Sequence, residues 1–230
     1  MSRRDELAAG LADTEQRIAA ACAAAGRARD EITLVVVTKT YPASDVEILA
    51  ELGVTDVGEN RHPEAGDKAS SVAASLRWHF LGGLQTNKAG AVARYADVVH
   101  SVDRVKLANS LSRGAVAAER TLTCLVQVDF SATDPGRSGV IASGIGELAD
   151  TIEAAPGLVL GGLMTVAPLG DDPAPHFAHL ARLSARLRQD HPDATIVSAG
   201  MSGDFELAIA AGATHLRIGR SILGERASTG

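Results

Sequence analysis

Aromatic residues are scarce in this chain: four Phe, two Tyr and one Trp make up 3% of its 230 residues. The core must instead be filled by Ala, Val, Leu and Gly, which suits strands packed between helices. Cysteine is equally sparse. Cys22 and Cys124 are the two present, far apart in sequence, so neither a disulfide framework nor a thiolate metal motif is read. A reducing, cytoplasmic setting is expected. Basic charge is in deficit, with 22 Lys and Arg against 28 Asp and Glu, a net charge of −6 and a pI near 5.6. Nucleic acid is therefore not expected as a partner, while a local basic pocket for a small anion stays compatible. Long apolar runs are missing. The start, Met1-Ser2-Arg3-Arg4-Asp5-Glu6, enters an alanine-rich stretch broken by Asp13, Glu15, Gln16 and Arg17. No signal core, membrane span or membrane partner is read from it. A Walker pattern, an anchored Ser-His-Asp order and a basic stripe are absent as well.

The remaining composition, 46% apolar and 22% charged, is that of an ordinary globular chain. Apolar periodicity predicts a leading helix over 3–27, stopped near Gly26. Strands are predicted at 32–39, 56–60, 78–81, 98–100, 122–128, 158–164, 195–197 and 215–218. Helices are predicted between them at 44–52, 63–76, 86–95, 103–118, 141–154, 173–189 and 204–211, with Ser44 as the cap of the first and Gly53 as its stop. Strict alternation of strand and helix implies a parallel sheet. Eight units fit an α/β fold of one domain, 1–230: a (β/α)₈ TIM barrel over 32–224 with an extra N-terminal helix over 1–27. An open doubly wound sheet is the alternative. The leading helix would cover the barrel bottom or meet a partner.

Such a barrel gathers its active site at the C-terminal strand ends. Leu34-Val35-Val36-Val37-Thr38-Lys39 is the most strand-like stretch, and Pro42 closes it. Lys39 thus falls at a strand mouth. Two readings stand: a lysine that snorkels to the surface, or a desolvated amine able to form a Schiff base with an aldehyde. Polar residues at the other ends include Glu59, Asn60, Ser101, Asp103, Met164 and Thr165. The last two units end in Gly200-Met201-Ser202-Gly203 and Arg217-Ile218-Gly219-Arg220. Loops in that position commonly bind phosphate. Ser202 can donate its hydroxyl or cap the next helix, and Gly203 and Gly219 allow close backbone approach. Arg217, set between Leu216 and Ile218, must find an acceptor if buried.

Other signals carry less. Gly144-Ile145-Gly146-Glu147 fits a dinucleotide pattern loosely but follows no predicted strand. His176 and His179 read as a surface pair on a helix rather than metal ligands. His79 reads as a hydrogen-bonded core histidine.

An ordered set of motifs runs along the chain: Val37-Thr38-Lys39-Thr40-Tyr41-Pro42, Gly58-Glu59-Asn60, Trp78 through Lys88, His100-Ser101-Val102-Asp103-Arg104, Gly162-Leu163-Met164-Thr165, Gly200-Met201-Ser202-Gly203-Asp204 and Arg217-Ile218-Gly219. Together they resemble the YggS-type (PROSC) pyridoxal-phosphate homeostasis family, whose barrel is like the N-terminal domain of alanine racemase. The resemblance implies fold type III among pyridoxal 5′-phosphate (PLP) proteins, without a C-terminal β domain. It implies a PLP-binding protein that holds the cofactor as a Schiff base on Lys39. It places Asn60 beside the cofactor, Ser202, Gly203, Gly219 and Arg220 in the phosphate cup, and Arg217 at the pyridine nitrogen. Met201, and Met164 more loosely, lie near. Before the resemblance, Arg217 could as well pair with a carboxylate across the barrel.

The family departs from this chain at Arg220, where many members carry threonine, at Ala199, and at Arg137, a position often held by lysine. The implied role is intracellular PLP and amino-acid homeostasis as a carrier or buffer without turnover. A monomer is expected, with PLP-dependent apo-enzymes as recipients. The alternative is a PLP-dependent amino-acid racemase, which would need a second acid/base such as a tyrosine. Tyr41 is too close to Lys39 for that, and Tyr95 ends an outer helix. A more remote alternative uses Lys39 on a sugar aldehyde or ketone.

Overall fold

The run Thr33-Leu34-Val35-Val36-Val37 forms the first strand, β1 (Thr33–Val37), with Val35 and Val36 fully buried. In the computed structural model, which describes residues 1–131 and 138–224, seven further strands follow it. They are β2 (Asp56–Glu59), β3 (Arg77–Phe80), β4 (Val98–Val102), β5 (Leu122–Val128), β6 (Leu158–Thr165), β7 (Ile196–Ser198) and β8 (His215–Ile218). Each pairs in parallel with the next, and β8 pairs with β1. The sheet is therefore a closed barrel in sequence order. An open doubly wound sheet is excluded.

Helices α1 (Arg3–Ala24), α2 (Ala43–Glu51), α3 (Glu64–Ser71), α4 (Ala89–Val92), α5 (Val105–Ala117), α6 (Ile145–Ala154), α7 (Pro173–Asp190), α8 (Phe205–Ala210) and α9 (Arg220–Leu223) surround it. Their apolar faces meet the outer face of the strands in one continuous core, with Leu49, Leu107, Leu111, Leu148 and Ile152 fully buried. A smaller cluster inside the barrel joins Val98, Leu125 and Met164.

The leading helix lies against α2, α8 and α9, over the seam between β8 and β1. Arg3 Nη2 donates to Asp45 Oδ2 at 2.7 Å and to the Leu223 carbonyl at 3.1 Å, and Arg17 pairs with Glu206 at 2.6 Å. A Cβ at Gly10 would stand 2.5 Å from the Ile222 carbonyl oxygen, so only glycine lets α1 come this close.

Three sequence expectations change. Ser44 does not cap α2, whose N-cap is Pro42 with no side-chain bond; the proline already fixes the entry. Helix α3 stops at Ser71 rather than 76. The hydroxyls of Ser70 and Ser71 donate to the carbonyls of Asp67 and Lys68 at 2.8 and 2.9 Å, competing with the backbone ladder. The stretch over 86–95 splits into a 3₁₀ turn, Thr86–Lys88, and the short α4. Arg104 draws on it there, donating to the Leu84 carbonyl and Thr86 Oγ1. Gly26 and Gly53, at φ +66° and +92°, end their helices as expected. Arg137 and the turn around it lie outside the described residues.

Candidate functional site at the barrel mouth

The C-terminal strand ends open into a cavity of about 600 Å³, within the range of small-molecule sites. Its wall contains Lys39, Asn60, Met201, Ser202, Gly203, Arg217, Gly219 and Arg220, the eight residues expected to bind the cofactor, while the strand-end candidates Glu59, Ser101, Asp103 and Thr165 do not line it. Val37, Tyr41, Leu81, Val166, Asp204 and Gly224 complete it. Tyr41, weighed in the sequence only as an acid/base and set aside, is the clearest addition to the expected wall. It lines the mouth, where its hydroxyl donates to the Gly224 carbonyl at 2.7 Å. The proximity of Tyr41 to Lys39 in sequence was a signal that could have placed it there. Met164 is buried inside the barrel and is not part of the wall.

Lys39 follows β1 in a turn and is half-buried. The chain on either side of it is held by α3. Before it, Lys68 Nζ donates to the Thr38 carbonyl at 2.9 Å and to Glu59 Oε1 at 2.5 Å. Thr38 Oγ1 donates to the same carboxylate oxygen at 2.7 Å. After it, Thr40 has φ +71°, a left-handed conformation rarely adopted by a β-branched residue. Its amide donates to Glu64 Oε1 at 2.9 Å. Glu59 was expected at the mouth. It points the other way, into the layer between β2 and α3, where it and Lys68 are 1% and 6% exposed. Burial raises the Glu59 pKa, and the hydrogen bonds from Lys68 and Thr38 oppose it without overcoming it.

The glycine-rich side is built on the loops after β7 and β8. The Met201 amide donates to Asp204 Oδ1 at 2.6 Å, and the Asp204 amide returns to the Met201 carbonyl at 3.2 Å. This closes a tight turn across Ser202 and Gly203. Asp204, rather than Ser202, is the N-cap of α8, which leaves the Ser202 hydroxyl uncommitted to a helix. Neither the Ser202 nor the Gly203 amide has a partner among the described residues. A Cβ on Gly203 would meet nothing within 4 Å, whereas one on Gly219 would stand 2.8 Å from the Val37 carbonyl oxygen. Open amides, the Ser202 hydroxyl and Arg220 form a donor set that fits a phosphate.

Arg217 enters from β8 and is 5% exposed. Its Nη1 donates to Ser198 Oγ at 2.6 Å and its Nη2 to the Thr165 carbonyl at 2.8 Å. Its hydrogen-bond acceptors among the described residues are thus neutral groups, and no carboxylate pairs with it directly. Burial pulls its pKa down to about 10, with Asp204 opposing, so the guanidinium stays charged at neutral pH.

The other signals fall outside this mouth. His79 is a hydrogen-bonded core histidine, as read from the sequence. His176 bonds to Asp171 at 3.3 Å and stacks, with His179, on Phe130. Among the described residues no cluster of His, Cys, Asp and Glu is set to hold a metal. Gly144 and Gly146 sit at the start of α6 with no strand directly before them. Among the described residues no helix is long and apolar enough to cross a membrane.

Known proteins resemble this chain in sequence and fold. Residues 12–227 match the family model described as alanine racemase, N-terminal domain. The pyridoxal phosphate homeostasis protein of Mycobacterium leprae is 38% identical over 241 residues, covering 96% of this chain and 93% of its own. That of Escherichia coli K12 is 35% identical over 235 residues, covering 96% and 97%. The structure of PipY from Synechococcus elongatus PCC7942 with PLP bound superposes with a TM-score of 0.82 at 30% identity, over 95% of this chain and 100% of that one. Alanine racemase from Corynebacterium glutamicum, 16% identical with a TM-score of 0.71, shares the fold across 60% of its own length. This chain therefore belongs to the pyridoxal phosphate homeostasis protein family, within the alanine racemase N-terminal domain family.

Proposed function

We propose that this chain binds pyridoxal 5′-phosphate at the barrel mouth through Lys39 and serves in PLP and amino-acid homeostasis as a carrier or buffer. The observation that carries this reading is the convergence of Lys39, the open Ser202–Gly203 amides and Arg217 on one cavity. The naming of its relatives and the PLP-bound PipY structure support it.

When bound, the cofactor supplies an electrophilic aldehyde on a pyridine ring, together with a phosphate. Lys39 provides the amine that links to it. Ser202, Gly203, Gly219 and Arg220 hold the phosphate. Asn60 and Met201, which line the same cavity, would stand beside the cofactor. Arg217 offers only N–H donors, so a ring nitrogen facing it stays unprotonated and a weak electron sink. That property suits holding the cofactor better than activating an amino acid on it.

A racemase also needs a second proton carrier at the mouth. The Tyr41 hydroxyl is spent on the Gly224 carbonyl. Tyr95 lies on the outside of the barrel, beside His62 and Arg94, and burial raises its pKa further. The fuller form of this reading is a cytoplasmic monomer, one unit from leading helix to last strand, that hands PLP to apo-enzymes.

The chain has four lysines, Lys39, Lys68, Lys88 and Lys106, which makes the test direct. The purified protein is incubated with PLP, reduced with borohydride, digested and mapped by mass. A pyridoxyl group on Lys39, absent from Lys39→Ala, is expected, with no interconversion of L- and D-alanine. Modification at another lysine, or none, would overturn the assignment.

A further inference from the structure

Five polar side chains cross the inside of the barrel in an unbroken line. At one end, Asp56 at the start of β2 reaches the wall of a second cavity, about 340 Å³, among the N-terminal strand ends. Its Oδ1 lies 2.8 Å from His79 Nε2. His79 Nδ1 lies 2.8 Å from His100 Nε2. His100 Nδ1 lies 2.9 Å from Ser198 Oγ. Arg217 Nη1 donates to that same oxygen at 2.6 Å and lines the mouth cavity. Both histidines and Ser198 are fully buried or nearly so.

The two ends fix every proton between them. Arg217 can only donate, so Ser198 accepts from it and has one hydroxyl hydrogen left to give. The acceptor within reach is His100 Nδ1. His100 then carries its hydrogen on Nε2 and donates to His79 Nδ1. His79 carries its hydrogen on Nε2 and donates to Asp56, which as a carboxylate can only accept. All four bonds run one way, and each donor has an acceptor. The opposite case, a doubly protonated His79, would make His100 donate to Ser198 as well. The serine hydrogen would then have no acceptor among the described residues. Other charged or titratable groups near the line are His215, whose ring centre is 6.2 Å from that of His79, Arg77, 3.9 Å from Asp56, and Asp204 near Arg217. Burial holds His100 well below the usual histidine range, which agrees with a neutral ring.

We propose that Asp56, His79, His100 and Ser198 are positioning residues for Arg217. Their one-way relay returns the arginine's counter-charge from the far end of the barrel and fixes how its guanidinium meets a ligand at the mouth. The part concerning a ligand rests on the PLP reading above; the relay itself does not.

The first test uses the PLP-free protein labelled with ¹⁵N-histidine. Two-bond ¹H–¹⁵N correlations at neutral pH, assigned through the backbone, read each ring's tautomer. Both His79 and His100 are expected neutral with the hydrogen on Nε2. A hydrogen on Nδ1 of either ring, or a charged His79, overturns the relay. The second test is the visible absorbance of the PLP-loaded protein. Ser198→Ala should shift the band and Ser198→Thr should restore it. A band unmoved by Ser198→Ala overturns the positioning role even where the tautomers are as expected. A wild type that takes up no PLP refutes the functional reading and leaves the tautomer result to stand by itself.

Discussion

Gly203 and Gly219 share a cavity wall but answer to different constraints. The Cβ of Gly219→Ala would press on the Val37 carbonyl oxygen, a backbone atom of β1 that cannot give way alone. That substitution is expected to cost about 1–3 kcal/mol of stability, read as a lower urea midpoint. The Cβ of Gly203→Ala meets only open space, so its folding should change by less than about 0.5 kcal/mol. Its cost falls on the ligand instead. A methyl group beside the open Ser202 and Gly203 amides should weaken PLP retention about tenfold, roughly 1.4 kcal/mol, by equilibrium dialysis. Unchanged retention in Gly203→Ala would remove this loop from the phosphate site. These residues were legible in the sequence because a glycine-rich strand exit in a barrel has few other uses. Which glycine serves the fold and which the ligand was not legible. That depends on what stands opposite each one, and Val37 is 182 positions away from Gly219 in a chain that closes its last strand on its first.

Helix α3 is the element on which the Lys39 turn depends. Lys68 joins the Thr38 carbonyl to the buried Glu59 carboxylate, and Glu64 takes the Thr40 amide. Lys68→Met should cost about 3–5 kcal/mol at pH 7, because it strands a carboxylate that water cannot reach. The cost should be smaller at pH 5. Burial already raises the Glu59 pKa from its ordinary 4.5, and loss of the ammonium raises it further. The native variant then holds a proton that the unfolded chain releases, so its stability is retained at low pH and falls as pH rises through the raised value. Denaturant unfolding at both pH values reads this directly, and Lys68→Met with Glu59→Gln should recover most of the loss. Equal cost at both pH values would mean that Glu59 is not the group left uncompensated. The sequence hid this clamp. Lys68 stands four residues after Glu64, the spacing of an ordinary surface pair. The end of α3 was misread too, because serine hydroxyls turning back onto carbonyls leave no trace in apolar periodicity.

At the scale of the whole molecule, alternation of strand and helix made the barrel legible, since its connectivity is local. The barrel interior was not. Asp56, His79, His100, Ser198, His215 and Arg217 come from five strands, and only the closed register brings them together. The sequence offered them one at a time, as a core histidine or an arginine in need of an acceptor. Filling a barrel with neutral histidines has a measurable consequence. Burial above all pulls the His215 pKa from 6.5 down to about 4, with Asp56 opposing. Between those values the unfolded chain binds a proton that the native one does not. Stability is therefore complete above pH about 6.5 and is lost progressively as pH falls toward 4, by about 3 kcal/mol in all and about 2 kcal/mol by pH 5. His100 adds to the same slope, its pKa held below the usual range chiefly by burial. Urea unfolding of the wild type and of His215→Gln at pH 7.5 and 5 isolates the first share. The variant should start less stable and lose less on acidification, since one titrating group is gone. Parallel losses in the two proteins would show that the native barrel takes up a proton at His215 as readily as the unfolded chain does, and the lowered His215 pKa would have to be abandoned.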